Sequence, residues 1–209
     1  MAFYFLLRVC EYTLPPTHVT TRTIQFRVSD TRFWHGQTLL PPTSEAATLA
    51  AATSVTLVMD NQKNGHRGYT IHQEACDKDF CPVRSVAAFV SAIMAQNMPV
   101  SIPLSFVQPG MHVQPGHILH AFQRAAQLAQ LEASGYQLTR IGAHSLRASG
   151  AMALWLSGHG PESIMKLGRW LAHPNISYLY PLPNCCPHHR HLSQDGAFSQ
   201  LPQCGRVNS

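Results

Sequence analysis

The stretch SVTLVMDNQKNGHRGYTIHQ, residues 54–73, decides the fold class. Two runs rich in β-branched and aromatic residues, 54–59 and 68–73, flank a turn. Asn64-Gly65 sits inside that turn, and a type I′ hairpin needs positive φ at both central positions, which Asn-Gly supplies. The expectation is an antiparallel hairpin whose tip carries Lys63, His66 and Arg67. Upstream, RTIQFRVSDTRFW (22–34) alternates and predicts a strand with a bend, while 41–52 reads as a Pro-Ser-Ala connector with no period. The opening, 3–10, is apolar on most faces and predicts the end of a buried helix entering the Pro15-Pro16 loop. Downstream the period changes. Apolar residues recur at helical spacing over 83–96 and 118–131, and 143–156 and 163–170 complete a helical set, interrupted at Gly158-His-Gly-Pro161. The sum is an α+β chain: a mainly helical domain over 1–181 with a small antiparallel sheet and hairpin at one edge. From 182 to 209 the text is rich in Pro, Gly, Ser and His with no period, and is expected to be a low-complexity, disordered tail.

Composition narrows the chemistry. With 45% hydrophobic residues in 209, the chain can bury a core and is neither disordered nor fibrous. Fifteen Lys and Arg against ten Asp and Glu give a net charge of +5, enough to permit a polyanionic partner without demanding one. No segment approaches the length of a membrane helix, and six apolar residues before Arg8, with no basic residues ahead of them, make a poor signal peptide. The six cysteines (10, 76, 81, 185, 186, 204) lack a CxxC pair and read as reduced thiols, hence an intracellular protein. No GxGxxG, P-loop or HExxH pattern occurs, so no nucleotide cofactor or zincin metal is expected.

Four features gather cations and proton-handling groups at element ends: Arg8-x-x-Glu11, Lys63 beside the hairpin turn, His144-Ser-Leu-Arg147, and Gly168-Arg169-Trp170 with Tyr178 nine residues beyond Arg169. In His144-x-x-Arg147 the spacing puts imidazole and guanidinium on one helix face. Phosphoryl transfer without a metal needs such parts: guanidiniums to hold the non-bridging oxygens, a nucleophile in line, and an acid for the leaving oxygen.

In this order (LLRVCEY, NQKNG, HSLRASGAMAL, GRW, then Tyr178) the motifs resemble the catalytic domain of the tyrosine recombinases, the phage-integrase family. The GRW form is similar to recombinases of eukaryotic mobile elements, including tyrosine-recombinase retrotransposons. The resemblance covers about 3–180. It implies that Arg8, His144, Arg147 and Arg169 stabilise the transition state, that Lys63 is the general acid, and that Tyr178 forms a 3′-phosphotyrosine link to double-stranded DNA. Glu11 would support the site by orienting an arginine. Arg67, Arg140 and Lys166 would be further DNA contacts. Arg169 stands where the family usually has His or Trp; alternatively Trp170 fills that place with the register shifted by one. The resemblance further implies no cofactor, a homotetramer on DNA, and nuclear location in a eukaryote. Type IB topoisomerases share the site, so DNA relaxation is the alternative activity. The chain begins almost at the first arginine, so the expected catalytic domain is N-terminally incomplete, and an inactive DNA-binding remnant is the third reading.

Each motif alone has an ordinary explanation. Arg8–Glu11 can be a helix-capping ion pair, Lys63 a solvated turn lysine, and His144 a residue at a helix start. Tyr180 rivals Tyr178 as nucleophile, although the nine-residue spacing favours Tyr178. The tail's Cys185-Cys186-Pro-His188-His189 fits zinc spacing poorly, because tetrahedral sites draw ligands in separated pairs. Cys76-x₄-Cys81 reads as two thiols flanking a loop, and Gly150, Ala151 and Ala153 as small residues that let helices pack closely.

Overall fold

A computed structural model describes residues 1–15, 24–59, 68–142 and 144–170. A four-stranded antiparallel sheet comprises β1 (Thr31–His35), β2 (Thr38–Leu40), β3 (Ser54–Met59) and β4 (Tyr69–Glu74), in the order β2-β1-β3-β4. The β3–β4 pair runs in unbroken register from Ser54↔Glu74 to Met59↔Tyr69, as the 54–73 reading predicts. The turn between them, with Lys63 and Arg67, lies outside the described residues. Alternation sets the faces: Phe33, Leu57 and Ile71 are buried, whereas Arg32, His72 and Glu74 point outward.

The buried face is covered by α2 (Ala46–Ala50) and α3 (Pro82–Met94), which contribute Leu49, Val83, Val86, Val90 and Ile93 to the core. Pro82 occupies the first helical position, where its missing N–H costs nothing. A second pair, β5 (Phe106–Gln108) and β6 (Met111–His112), precedes α4 (Pro115–Leu128); α5 (His144–Leu156) and α6 (Pro161–Gly168) follow. The architecture is α+β.

Three local expectations need correcting. The opening is not a buried helix: residues 2–6 form turns, with Leu6 at φ 45°, and only α1 (Val9–Tyr12) is helical. Phe5, Leu6 and Leu7 are nonetheless fully enclosed, so the apolar run signals burial rather than a helix. In place of one bent strand over 22–34, a 3₁₀ turn (Val28–Asp30) precedes β1. The bend is the cap made when the Arg27 N–H donates to Asp30 Oδ2 at 2.8 Å. The 41–52 connector contains α2.

The N-terminal turns are clasped from two sides. The Gln73 side-chain amide on β4 donates to the Tyr4 carbonyl at 3.0 Å. On α5, Gly150 lies so close to the Phe3 carbonyl and Leu6 that a Cβ there would overlap both. Tyr69 of β4 donates its hydroxyl to the Lys166 carbonyl of α6 at 2.8 Å. These contacts draw the two ends of the described chain together.

Candidate functional site

At that meeting point two arginines pair with one carboxylate and a third lies beside them. Arg8 is the N-cap of α1, and Glu11 stands three residues on. A Glu at this position reaches back to the helix start, satisfying an N–H that has no intrahelical partner. Glu11 Oε2 accepts the Arg8 backbone N–H at 2.7 Å, and its Oε1 pairs with Arg8 Nη1 at 3.3 Å. From 158 residues away, Arg169 Nη2 donates to the same Oε2 at 2.7 Å. Glu11 is buried, and so is Arg169.

Arg169 reaches inward because of how α6 ends. It is the C-cap residue, in the left-handed conformation (φ 54°, ψ 39°), where glycine is usual and any side chain is strained. The ion pair with Glu11 holds it there. Trp170 then folds back: its ring lies 4.6 Å from Arg147 Cζ, a cation–π contact. It also packs so tightly on Gly168 that a Cβ at 168 would overlap the indole, so the Gly-Arg-Trp order has a steric basis. Arg147, buried in α5, donates from Nη2 to the Gly168 carbonyl.

The cluster carries three guanidiniums against one carboxylate. Burial, with Arg8 and Arg169 beside it, pushes the Arg147 guanidinium down to about 10; the Glu11 charge offsets this only in part. Arg169 is lowered for the same leading reason, burial, with Glu11 opposing and Arg8 adding to it. Both remain cations at neutral pH, held at an electrostatic cost that a bound anion would relieve. Arg147 Nε and Arg169 Nε and Nη1 are buried donors without a hydrogen-bond partner among the described residues. Buried guanidinium donors left unpaired are costly, which suits the arrangement to an oxyanion such as a phosphate.

The structure brings together Arg8, Glu11, Arg147, Arg169 and Trp170 of the predicted set. Of the two residues competing for the place beyond the glycine, Arg169 turns to Glu11 and Trp170 takes the position against Arg147. His144 opens α5 one turn before Arg147 and is exposed. Lys166 and Arg140 are exposed, and Arg140 lies in a 3₁₀ turn after α4. Lys63, Arg67, Tyr178, Tyr180 and the tail's cysteines and histidines lie outside the described residues. Sequence reasoning missed Tyr69. Burial raises its phenol above its ordinary value, and the nearby Arg169 charge works against that. Its only signal is its place at the start of β4. No group of three or more His, Cys, Asp or Glu suited to a metal occurs among the described residues. No described helix is long and apolar enough to cross a membrane.

Away from the cluster, an apolar cavity of about 300 Å³ is lined by Tyr12, Phe89, Leu104, Phe122 and Leu146 among others. The Tyr12 hydroxyl is buried there without a partner among the described residues. Compared with known proteins, the chain matches no family model, no curated protein and no solved structure.

Proposed function

We propose that this chain cleaves and rejoins double-stranded DNA in the manner of a tyrosine recombinase, through a covalent 3′-phosphotyrosine intermediate. One observation carries the reading. Arg8 and Arg169, distant in sequence, pair with one buried carboxylate, and Arg147, near enough to feel all three charges, stands beside them; Arg147 and Arg169 keep donors unpaired. Such a cluster suits the non-bridging oxygens of a phosphodiester and the charge that builds on them during in-line displacement. Glu11 limits the repulsion among the cations and fixes two of them in position.

In this mechanism Tyr178 attacks the scissile phosphorus while the guanidiniums neutralise the developing charge. Trp170 lies beside Arg147 with an indole N–H, a single donor suited to the same phosphate. Lys63 protonates the departing 5′-oxygen. Because the phosphotyrosine conserves the bond energy, a free 5′-hydroxyl of a partner strand reverses the step and completes exchange. Affinity comes mostly from phosphate contacts and falls steeply with salt.

The test is Arg147→Ala. Cleavage should be lost while DNA binding weakens far less; a cleavage rate within about tenfold of wild type, about 1.4 kcal/mol of barrier, contradicts the assignment. Lys63→Ala should recover on a substrate whose leaving oxygen is replaced by sulfur, which hardly needs an acid. A defect that persists there removes Lys63 from that role.

A second reading, DNA binding without cleavage, is favoured by one contact. Arg147 Nη2 is already engaged by the Gly168 carbonyl, and its face lies under Trp170. Salt-sensitive binding unchanged by Tyr178→Phe, with no covalent product from either protein, selects this reading.

A further inference from the structure

The connection from β4 to α3 holds two thiols that the proposed DNA chemistry does not use. Cys81 is the N-cap of α3, a 13-residue helix whose first backbone N–H groups have no intrahelical partner. The Cys76 backbone N–H donates to Cys81 Sγ at 3.4 Å, which sets the main chain of residue 76 against that sulfur. Arg84, in the first turn of α3, donates to the Lys78 carbonyl and holds the intervening loop against the helix start. Burial alone would push the Cys81 thiol up. The N–H groups of Arg84, Cys76 and Val83, together with the Arg84 charge, outweigh burial and hold it below its ordinary value. The two cysteines differ in access: Cys81 is fully enclosed, whereas Cys76 is half-buried.

We propose that Cys76 and Cys81 are a peroxide-sensitive pair, in which the accessible Cys76 is oxidised first and the sheltered Cys81 resolves it to a disulfide. The Cys76 thiolate attacks the terminal oxygen of a hydroperoxide; the O–O bond breaks, giving a sulfenic acid and an alcohol, or water from hydrogen peroxide. The Cys81 thiolate then attacks the Cys76 sulfur and expels hydroxide, which takes up a proton. Overall, two thiols and one hydroperoxide become one disulfide, one alcohol and one water. Enclosure protects Cys81 from direct oxidation, and the lowered thiol favours its thiolate for the second step. The inference stands independently of the DNA reading.

Lys78 lies between the two cysteines, so trypsin separates them and makes the cross-link readable. The full chain is treated with hydrogen peroxide, its remaining thiols are blocked, and it is digested without reductant. The expected product joins peptide 68–78 to peptide 79–84, two hydrogens lighter than their sum, ahead of any other oxidised cysteine species. Cys76→Ser should abolish it and leave Cys81 a free thiol. Cys81→Ser should leave a Cys76 sulfenic acid that dimedone traps. The proposal is overturned if Cys76 pairs with another cysteine. It is equally overturned if Cys76 goes on to sulfinic acid while Cys81 is recovered reduced, or if neither residue is oxidised before Cys10.

Discussion

Replacing Glu11 by Gln removes the one negative charge in the cluster and keeps the side chain's shape. Glu11 takes part in three short contacts: the Arg8 N–H at 2.7 Å, Arg8 Nη1 at 3.3 Å and Arg169 Nη2 at 2.7 Å. Breaking a buried ion pair from one side costs about 3–5 kcal/mol, because the partner charge stays behind unpaired. Two features favour the lower figure. The Arg8 side chain is 18% exposed and keeps some water, and the Gln oxygen can still accept one of the Oε2 bonds. Against this, Arg169 at 4% exposure has no such relief, and the new amide N–H groups face guanidiniums. We expect a loss of about 3 kcal/mol, or a Tm lower by about 6–12 °C for a chain of this size. The assay is thermal and urea unfolding of wild type, Glu11→Gln, Arg169→Met and the double variant. The double variant should lose less than the sum of the singles, since removing both partners leaves no orphaned charge. Sulfate should restore more stability to Glu11→Gln than to wild type, by standing in for the missing anion. A loss below about 1 kcal/mol with additive singles would refute the claim that this carboxylate offsets buried cations.

Other expected outcomes follow from single contacts. Gly150→Ala should lower Tm by the equivalent of about 1–3 kcal/mol, although helix propensity alone favours Ala, because the new methyl meets the Phe3 carbonyl; an unchanged or higher Tm contradicts the close packing. Trp170→Ala should cost about 1–2 kcal/mol through the lost contact with Arg147, and Trp170→Phe less; equal losses would mean that the ring's face is not what matters. Burial, with the charges of Cys10 and Glu11, pushes the Tyr12 phenol up to about 12. The folded chain therefore keeps that proton where the unfolded chain has lost it, and stability falls as pH rises from about 10 to 12. A tyrosinate absorbance titration should show a late phase near the upper end that disappears in Tyr12→Phe. Survival of that phase in the variant would assign it elsewhere.

How much of this is legible in the sequence depends on whether a signal is local. The strands β3 and β4 are legible because β-branched runs of matching length flank an Asn-Gly pair, and α3 and α4 because their apolar period is sustained over three or four turns. The opening is not, since a run of six apolar residues, most of them buried, looks the same in a helix and in a string of turns. Only the positive φ of Leu6 separates the two, and no residue type announces it. The pair β5 and β6 escapes notice because strands of three and two residues beside Pro103 and Gly110 carry no alternation. In the cluster, the identities of Arg8, Glu11, Arg147, Arg169 and Trp170 are legible as motifs. Their pairings are not. Arg169 meets Glu11 because α6 ends in a left-handed turn, and Trp170 meets Arg147 because residue 168 is a glycine; both are tertiary facts.

Covalent trapping tests the central claim most directly. Purified protein meets a mixed-sequence duplex pool carrying 5′-bridging phosphorothiolates, and adducts are resolved on a denaturing gel for wild type, Tyr178→Phe and Tyr180→Phe. The account predicts a protein–DNA adduct from wild type and from Tyr180→Phe that is absent from Tyr178→Phe. An adduct lost only in Tyr180→Phe would keep the chemistry and move the nucleophile by two residues. No adduct from any of the three would contradict strand cleavage by this chain.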